Sequence, residues 1–110
     1  MTKLSSLPRK IKHKFNAKPT TVDDTWFGSK KEAARYQDLK ILQKSGEVIF
    51  FLMQTPFRLP GKIKYVTDFM IFWSDGNVTF EDVKGFMTPL SRNKIAMVED
   101  LYGIEITIVK

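Results

Sequence analysis

Four residues of this chain have the types and spacing for chemistry at a phosphate: Asp68, Asp82, Lys84 and Glu32. Successive strand residues point to opposite faces. In Asp82-Val83-Lys84 the acid and the lysine therefore share a face with Val78 and Phe80, while Glu81 and Val83 face the other way. Asp68 stands inside the apolar stretch Val66–Trp73, where a carboxylate is costly to bury unless it is paired or ligates a cation. Whether it meets Asp82 depends on the turn Ser74-Asp75-Gly76-Asn77. A two-residue loop at Asp75-Gly76 pairs Asp68 with Val83. A three-residue loop, Ser74-Asp75-Gly76, pairs Trp73 with Asn77 and so Asp68 with Asp82. Gly76 is at the third position, where such loops favour a left-handed residue, and a bulge gives the same parity. Two facing carboxylates repel unless something positive lies between them. A hard divalent cation is the natural answer, because it takes oxygen ligands and, as Mg²⁺, keeps waters, one of which can become a nucleophile. Lys84 is placed to hold that water or to stabilise charge on a phosphate oxygen.

The elements that must position these groups are legible from periodicity. Ser29 is a good N-cap, Glu32 stands at the capping-box position and Gly46 is a terminator, which predicts one helix over 29–45. Glu32 shares its azimuth with Tyr36 and Leu39, at the start of the face that should pack on a sheet; on local sequence alone the cap is its better reading. Val48–Met53 (VIFFLM) reads as a buried central strand ended by Pro56, with Phe57-Arg58-Leu59 as a short continuation. Lys62–Trp73 and Val78–Lys84 read as the next strands. Thr88-Pro89 opens a second helix reaching about Leu101, Tyr102-Gly103 breaks it, and Ile104–Val109 closes the chain as a strand. The order is helix, three strands, helix, strand. Phe50, Phe51, Phe69 and Phe72 fall in strand-core patterns, and Trp26 and Phe27 are placed to tether the preceding segment to the core.

That preceding segment carries the charge. The 110 residues hold 18 Lys+Arg, 12 Asp+Glu and a net charge of +6. Lys3, Arg9, Lys10, Lys12, Lys14 and Lys18 fall in the first 20 positions with no acid among them, so residues 21–110 balance to zero. The pattern is a neutral domain (21–110) with a basic arm (1–20). Such an arm is often no more than a solvated tail, but it also supplies the salt-sensitive attraction that polyanions feel. Nucleic acid is the favoured partner over an anionic membrane surface, because the arm has few large apolar anchors. No cysteine is present and His13 is the single histidine, which excludes disulfides, thiolate zinc sites, cysteine nucleophiles and, in practice, histidine triads. Without a long apolar run or a secretory signal, the chain reads as soluble and cytoplasmic.

The element order with Asp68 and Asp82-Val83-Lys84 resembles the PD-(D/E)XK nuclease superfamily. Thr21-Val22-Asp23, Phe27, Ser29, Glu32-Ala33 and Arg35-Tyr36, with Glu81-Asp82-Val83-Lys84-Gly85, are similar to the two blocks of a small phage-borne family placed there and long carried as a domain of unknown function. The likeness covers roughly residues 20–106. Two departures stand out: Asp24 where that family tends to have Gly, and Thr67-Asp68 in place of Pro-Asp. The resemblance implies an α/β fold with a restriction-endonuclease-like αβββαβ core, a central mixed sheet flanked by helices. It implies Asp68 and Asp82 as metal ligands with the Val83 backbone carbonyl, Mg²⁺ as the cation with Mn²⁺ as substitute, Lys84 as the catalytic lysine, Glu32 as the helix-borne acid and Gln54 in support. Small members include junction-resolving endonucleases, dimers that cut branched DNA such as a Holliday junction symmetrically, as in recombination. A homodimer acting on branched DNA in the host cytoplasm, with no small-molecule cofactor, is the matching expectation. Lys10, Lys12, Lys14, Arg58, Arg92 and Lys94 are candidate phosphate contacts, the last two near a helix N-terminus; each alone also reads as a solvated surface charge.

A competing reading is a non-catalytic nucleic-acid-binding accessory protein of phage replication or packaging, which keeps the arm and makes the acids structural. An RNA-binding structural protein is a weaker third, since it needs exposed aromatics for stacking.

Overall fold

A computed structural model describes residues 20–110. Lys10, Lys12 and Lys14 lie outside the described residues. The described residues begin with a hairpin that the sequence reading did not foresee, β1 (Thr20–Val22) against β2 (Thr25–Phe27). Its two-residue turn is Asp23-Asp24, both at positive φ (50° and 61°), the backbone that matches the twist of a tight hairpin. Asp24 thus occupies a left-handed position, the backbone that glycine adopts most readily. The Tyr36 hydroxyl donates to Asp23 Oδ2 at 2.9 Å and fastens the turn to the first helix.

That helix, α1 (Lys30–Lys44), starts as expected: Ser29 Oγ accepts from the Glu32 amide. The sheet follows as β3 (Val48–Leu59), β4 (Ile63–Trp73) and β5 (Val78–Val83); α2 (Pro89–Tyr102), capped by Thr88 and ended by Gly103 at φ 66°, then leads to β6 (Ile106–Val109). The order across the sheet is β3-β4-β5-β6. The first two pairings are antiparallel and β5–β6 is parallel through the α2 crossover. The fold is α/β with a mixed sheet and two helices, an arrangement compatible with the restriction-endonuclease-like core.

Two apolar clusters hold the layers. Tyr36, Leu39 and Leu42 of α1 meet Val48, Phe69, Ile71 and Trp73, with Phe27 closing the end. Ile95 and Val98 of α2 meet Leu59, Tyr65 and Ile106. Phe51 and Phe57 share strand parity, yet the first packs in the α1 cluster and the second in the α2 cluster. Between them Gln54 stands at φ 55°, so the same face of the β3–β4 ribbon serves one cluster at each end.

Two expectations about β3 are corrected. It is an edge strand rather than a central one, and Ile49, Phe50 and Leu52 stay exposed; Phe50 stacks on half-buried Phe72 (4.3 Å between centroids) instead of entering the core. An apolar run does not distinguish a strand covered on both faces from one covered on one. Nor does Pro56 end the strand: it pairs with Val66, and the ladder runs on to Leu59. Proline is tolerated because an edge strand has one side with no ladder to feed.

Across the two layers, Arg35 of α1 makes a fork with Glu81 of β5, Nε to Oε1 and Nη2 to Oε2, each 2.7 Å, with both residues buried. Asp38 lies 3.9 Å from Nη1. Bidentate guanidinium–carboxylate geometry is the form in which a buried pair offsets its desolvation. Glu81→Ala should cost about 3–5 kcal/mol in urea unfolding, because a buried guanidinium loses its partner; Arg35→Met with Glu81→Leu should recover most of that loss. Asp24→Gly should raise stability by up to about 1 kcal/mol in the same assay, by relieving a left-handed position.

Candidate functional site

The turn after β4 sets the parity. Trp73 N–H donates to the Asn77 carbonyl (2.9 Å) and Gly76 N–H to the Trp73 carbonyl (3.0 Å), so the loop is Ser74-Asp75-Gly76, with Gly76 at φ 93°. The register runs Phe72↔Val78 to Phe69↔Glu81, and continuing it by one step sets Asp68 opposite Asp82. The ladder stops there. The two strands part, and Asp68 Oδ2 accepts instead from the Val83 amide at 2.8 Å. Val83, expected to offer its carbonyl to a metal, here offers its N–H to this carboxylate.

Asp82 is buried and accepts a short hydrogen bond from the Tyr65 hydroxyl. Lys84 Nζ lies 3.5 Å from the same carboxylate oxygen. Tyr65 was not singled out by the sequence reading. By strand parity it belongs on the α1 side, yet it packs in the α2 cluster with its hydroxyl on Asp82.

Gln54 bridges the other side. Its Nε2 reaches Asp68 Oδ1 at 3.4 Å and Glu32 Oε2 at 3.5 Å, both long contacts. Of the capping box only one half forms: the Glu32 amide donates to Ser29 Oγ, while the Glu32 carboxylate is met by Gln54 instead of by the Ser29 amide. Gln54 holds φ at 55°, an uncommon conformation for a non-glycine residue. Strain of this kind clusters at functional sites. Glu32, Gln54 and Asp68 line a cavity of about 430 Å³ together with Thr25, Trp26, Phe27, Gly28 and Met53.

The electrostatics mark one group as out of balance. Asp68 is pushed up to about 8 by burial, by its contact with Asp82 and by the charges of Asp82 and Glu32, against the opposing pull of the Val83 amide. Burial and Asp82 also raise Glu32. Tyr65 is raised by burial and by the carboxylate it serves, so it stays a donor. Among the described residues, no group of three or more His, Cys, Asp or Glu side chains closes into a cluster able to hold a metal ion. The oxygen pair of Asp68 and Asp82 is the nearest to one.

Arg58, Arg92 and Lys94 are not among the residues lining this cavity. Arg58 is exposed toward the far end of the β3–β4 ribbon, where its carbonyl accepts from Tyr102 at 2.7 Å. Arg92 is exposed and Lys94 half-buried on α2. A cation not foreseen, Lys31, reaches over Gly85: a Cβ built there would lie 3.6 Å from its Nζ. Trp26, expected to tether the arm, is 68% exposed; Phe27 alone of the two is buried. No helix among the described residues is long and apolar enough to cross a membrane.

Residues 12–108 match the family described as "Protein of unknown function (DUF1064)". The chain belongs to this family. The matched range takes in all of the site residues above and begins inside the basic arm, at Lys12. No curated protein matched the chain, and no solved structure did.

Folded Asp68 retains a proton that the unfolded chain, with an ordinary carboxylate, releases near pH 4. Its contribution is therefore complete below about pH 4 and is lost as pH rises toward 8. Asp68→Asn should accordingly raise the melting temperature at pH 8–9, by about 4–8 °C for each kcal/mol of relieved repulsion, and change it little near pH 4. Differential scanning calorimetry across that range checks it.

Proposed function

We propose that this family member is a metal-dependent DNA endonuclease of the PD-(D/E)XK type, acting on branched DNA. The observation that carries the reading is the meeting of Asp68 and Asp82 where β4 and β5 part, with Lys84 on one carboxylate and Gln54 joining Glu32 to the other. Two adjacent carboxylates, with Lys84 on one of them, suit a hard divalent cation that keeps most of its waters, Mg²⁺ by availability and Mn²⁺ as substitute. Asp68 and Asp82 would hold it, with the Val83 carbonyl. When bound, the cation supplies positive charge opposite the scissile phosphate and makes a water more acidic.

The chain's own groups do the rest. Tyr65 fixes the orientation of Asp82. The Val83 amide holds one oxygen of Asp68 and leaves the other toward Gln54. Lys84 stabilises the extra negative charge on the phosphate as the nucleophile adds. Glu32, raised by its surroundings, and Gln54 order the water side of the site. The basic arm supplies attraction to the phosphate backbone without reading sequence. A two-fold dimer would present two such sites to the two related strands of a branch.

One observation favours the alternative, a non-catalytic nucleic-acid-binding protein: no three acidic side chains close into a cluster among the described residues. Cleavage of a labelled four-way junction against linear duplex of the same sequence separates the two. The nuclease reading expects paired, Mg²⁺-dependent cuts in the junction, a loss of at least a hundredfold in rate for Asp82→Asn, and junction binding by that variant within a few-fold of the parent. An Asp82→Asn protein that still cuts would sink the mechanism. Binding with no cutting in Mg²⁺ or Mn²⁺, on flaps as well as junctions, would establish the accessory protein.

A further inference from the structure

We propose that the cavity beside the carboxylates seats an unpaired nucleobase, stacked on the indole of Trp26. The proposal deepens the nuclease reading and rests on it for the class of ligand.

Trp26 is the most exposed large aromatic of the hairpin, yet its backbone is well held. It pairs with Thr21, its neighbour Phe27 is 2% exposed and packs 5.1 Å from the Tyr36 ring, and the turn is pinned through Asp23. A rigid strand thus presents an indole to solvent at the lip of the cavity that holds Asp68, Glu32 and Gln54. The lining divides by chemistry. Trp26, Phe27 and Met53 offer apolar surface to a flat ring, Gln54 offers an amide that pairs with base edges, and the carboxylates lie beyond. At about 430 Å³ the space falls in the range that small ligands occupy. Cations suited to the attached phosphates stand nearby: Lys84 beside Asp82, and Lys31 over Gly85.

The base must be an unpaired one. Inside a duplex both faces of a base are covered by its neighbours, and an indole can stack only on a face that has been opened. Branch points, bulges and single strands offer such a face; continuous duplex does not. The seat would therefore select substrate by local unstacking rather than by sequence, and it would do so adjacent to the phosphate to be cut.

The chain contains two tryptophans, and the other, Trp73, is buried with its Nε1 donating to Thr79 at 2.7 Å, so ligand-dependent emission reports Trp26. The probes are a duplex with a two-nucleotide thymidine bulge and a blunt duplex of matching sequence, both in EDTA. The bulged duplex should quench Trp26 and protect it from acrylamide, while the blunt duplex binds without doing either. Trp26→Ala should weaken binding of the bulged probe about tenfold and of the blunt probe less than twofold, and Trp26→Phe should restore most of the difference. Unchanged Trp73 emission in Trp26→Ala checks the fold. Binding of the bulged probe with Trp26 emission and accessibility unaltered, or equal losses on both probes in Trp26→Ala, would overturn the seat and leave the nuclease reading standing. Failure of both probes to bind would remove the seat and the nuclease reading together.

Discussion

The Arg35–Glu81 fork is the constraint on which the site depends. Glu32 lies one helical turn before Arg35 on α1, and Asp82 directly follows Glu81 on β5. Fixing the guanidinium to the carboxylate at 2.7 Å twice over sets the depth and the rotation of α1 on the sheet at once. Apolar contacts between Leu39, Leu42 and the sheet would tolerate a slide of the helix, since one aliphatic surface packs on another at many offsets. A planar ion pair permits one offset. The acid on the helix is thus delivered opposite the acids on the strands by a pair that itself takes no part in the chemistry proposed for them.

The second determinant is the parting of β4 and β5. A continuous ladder would commit the backbone of Val83 to its neighbours and leave the carboxylates side by side on a flat sheet. Where the strands separate, the Val83 amide turns to Asp68, Tyr65 reaches Asp82, and Gln54, at positive φ, sets its amide between Asp68 of β4 and Glu32 of α1. An uncommon backbone conformation at Gln54 and a displaced carboxyl equilibrium at Asp68 meet in this one region.

Much of this was legible in the sequence. Caps at Ser29 and Thr88, the glycine ends of the helices and the three-residue loop at Ser74–Gly76 were readable because each rests on local backbone chemistry. Whether Asp68 meets Asp82 turned on a choice between a two- and a three-residue loop, which Gly76 tilted toward three and the structure decides. The failures share a different cause. The β3 edge, the continuation through Pro56 and the turn of Tyr65 toward Asp82 depend on how many strands the sheet has and which cluster each end of its ribbon serves, and no short window records that. Arg35 and Glu81 were visible as residues but not as a pair, since they stand 46 positions apart and either alone looks like surface. The β1–β2 hairpin was missed because its turn uses two aspartates where glycine is the usual signal.

The loop at Ser74–Gly76 has a consequence for descent. Surface turns are normally where chains gain and lose residues at least expense. Here the addition or loss of one residue would reverse the parity of everything after it, aiming Glu81 where Asp82 stands and turning Asp82 toward α1 in place of the arginine's partner. Point changes at Ser74 or Asp75 leave that alternation intact. Lineages that keep this site are therefore free to vary the turn in composition and bound in its length, so a count of three residues between the paired Trp73 and Asn77 is heritable information of the same rank as the acids themselves.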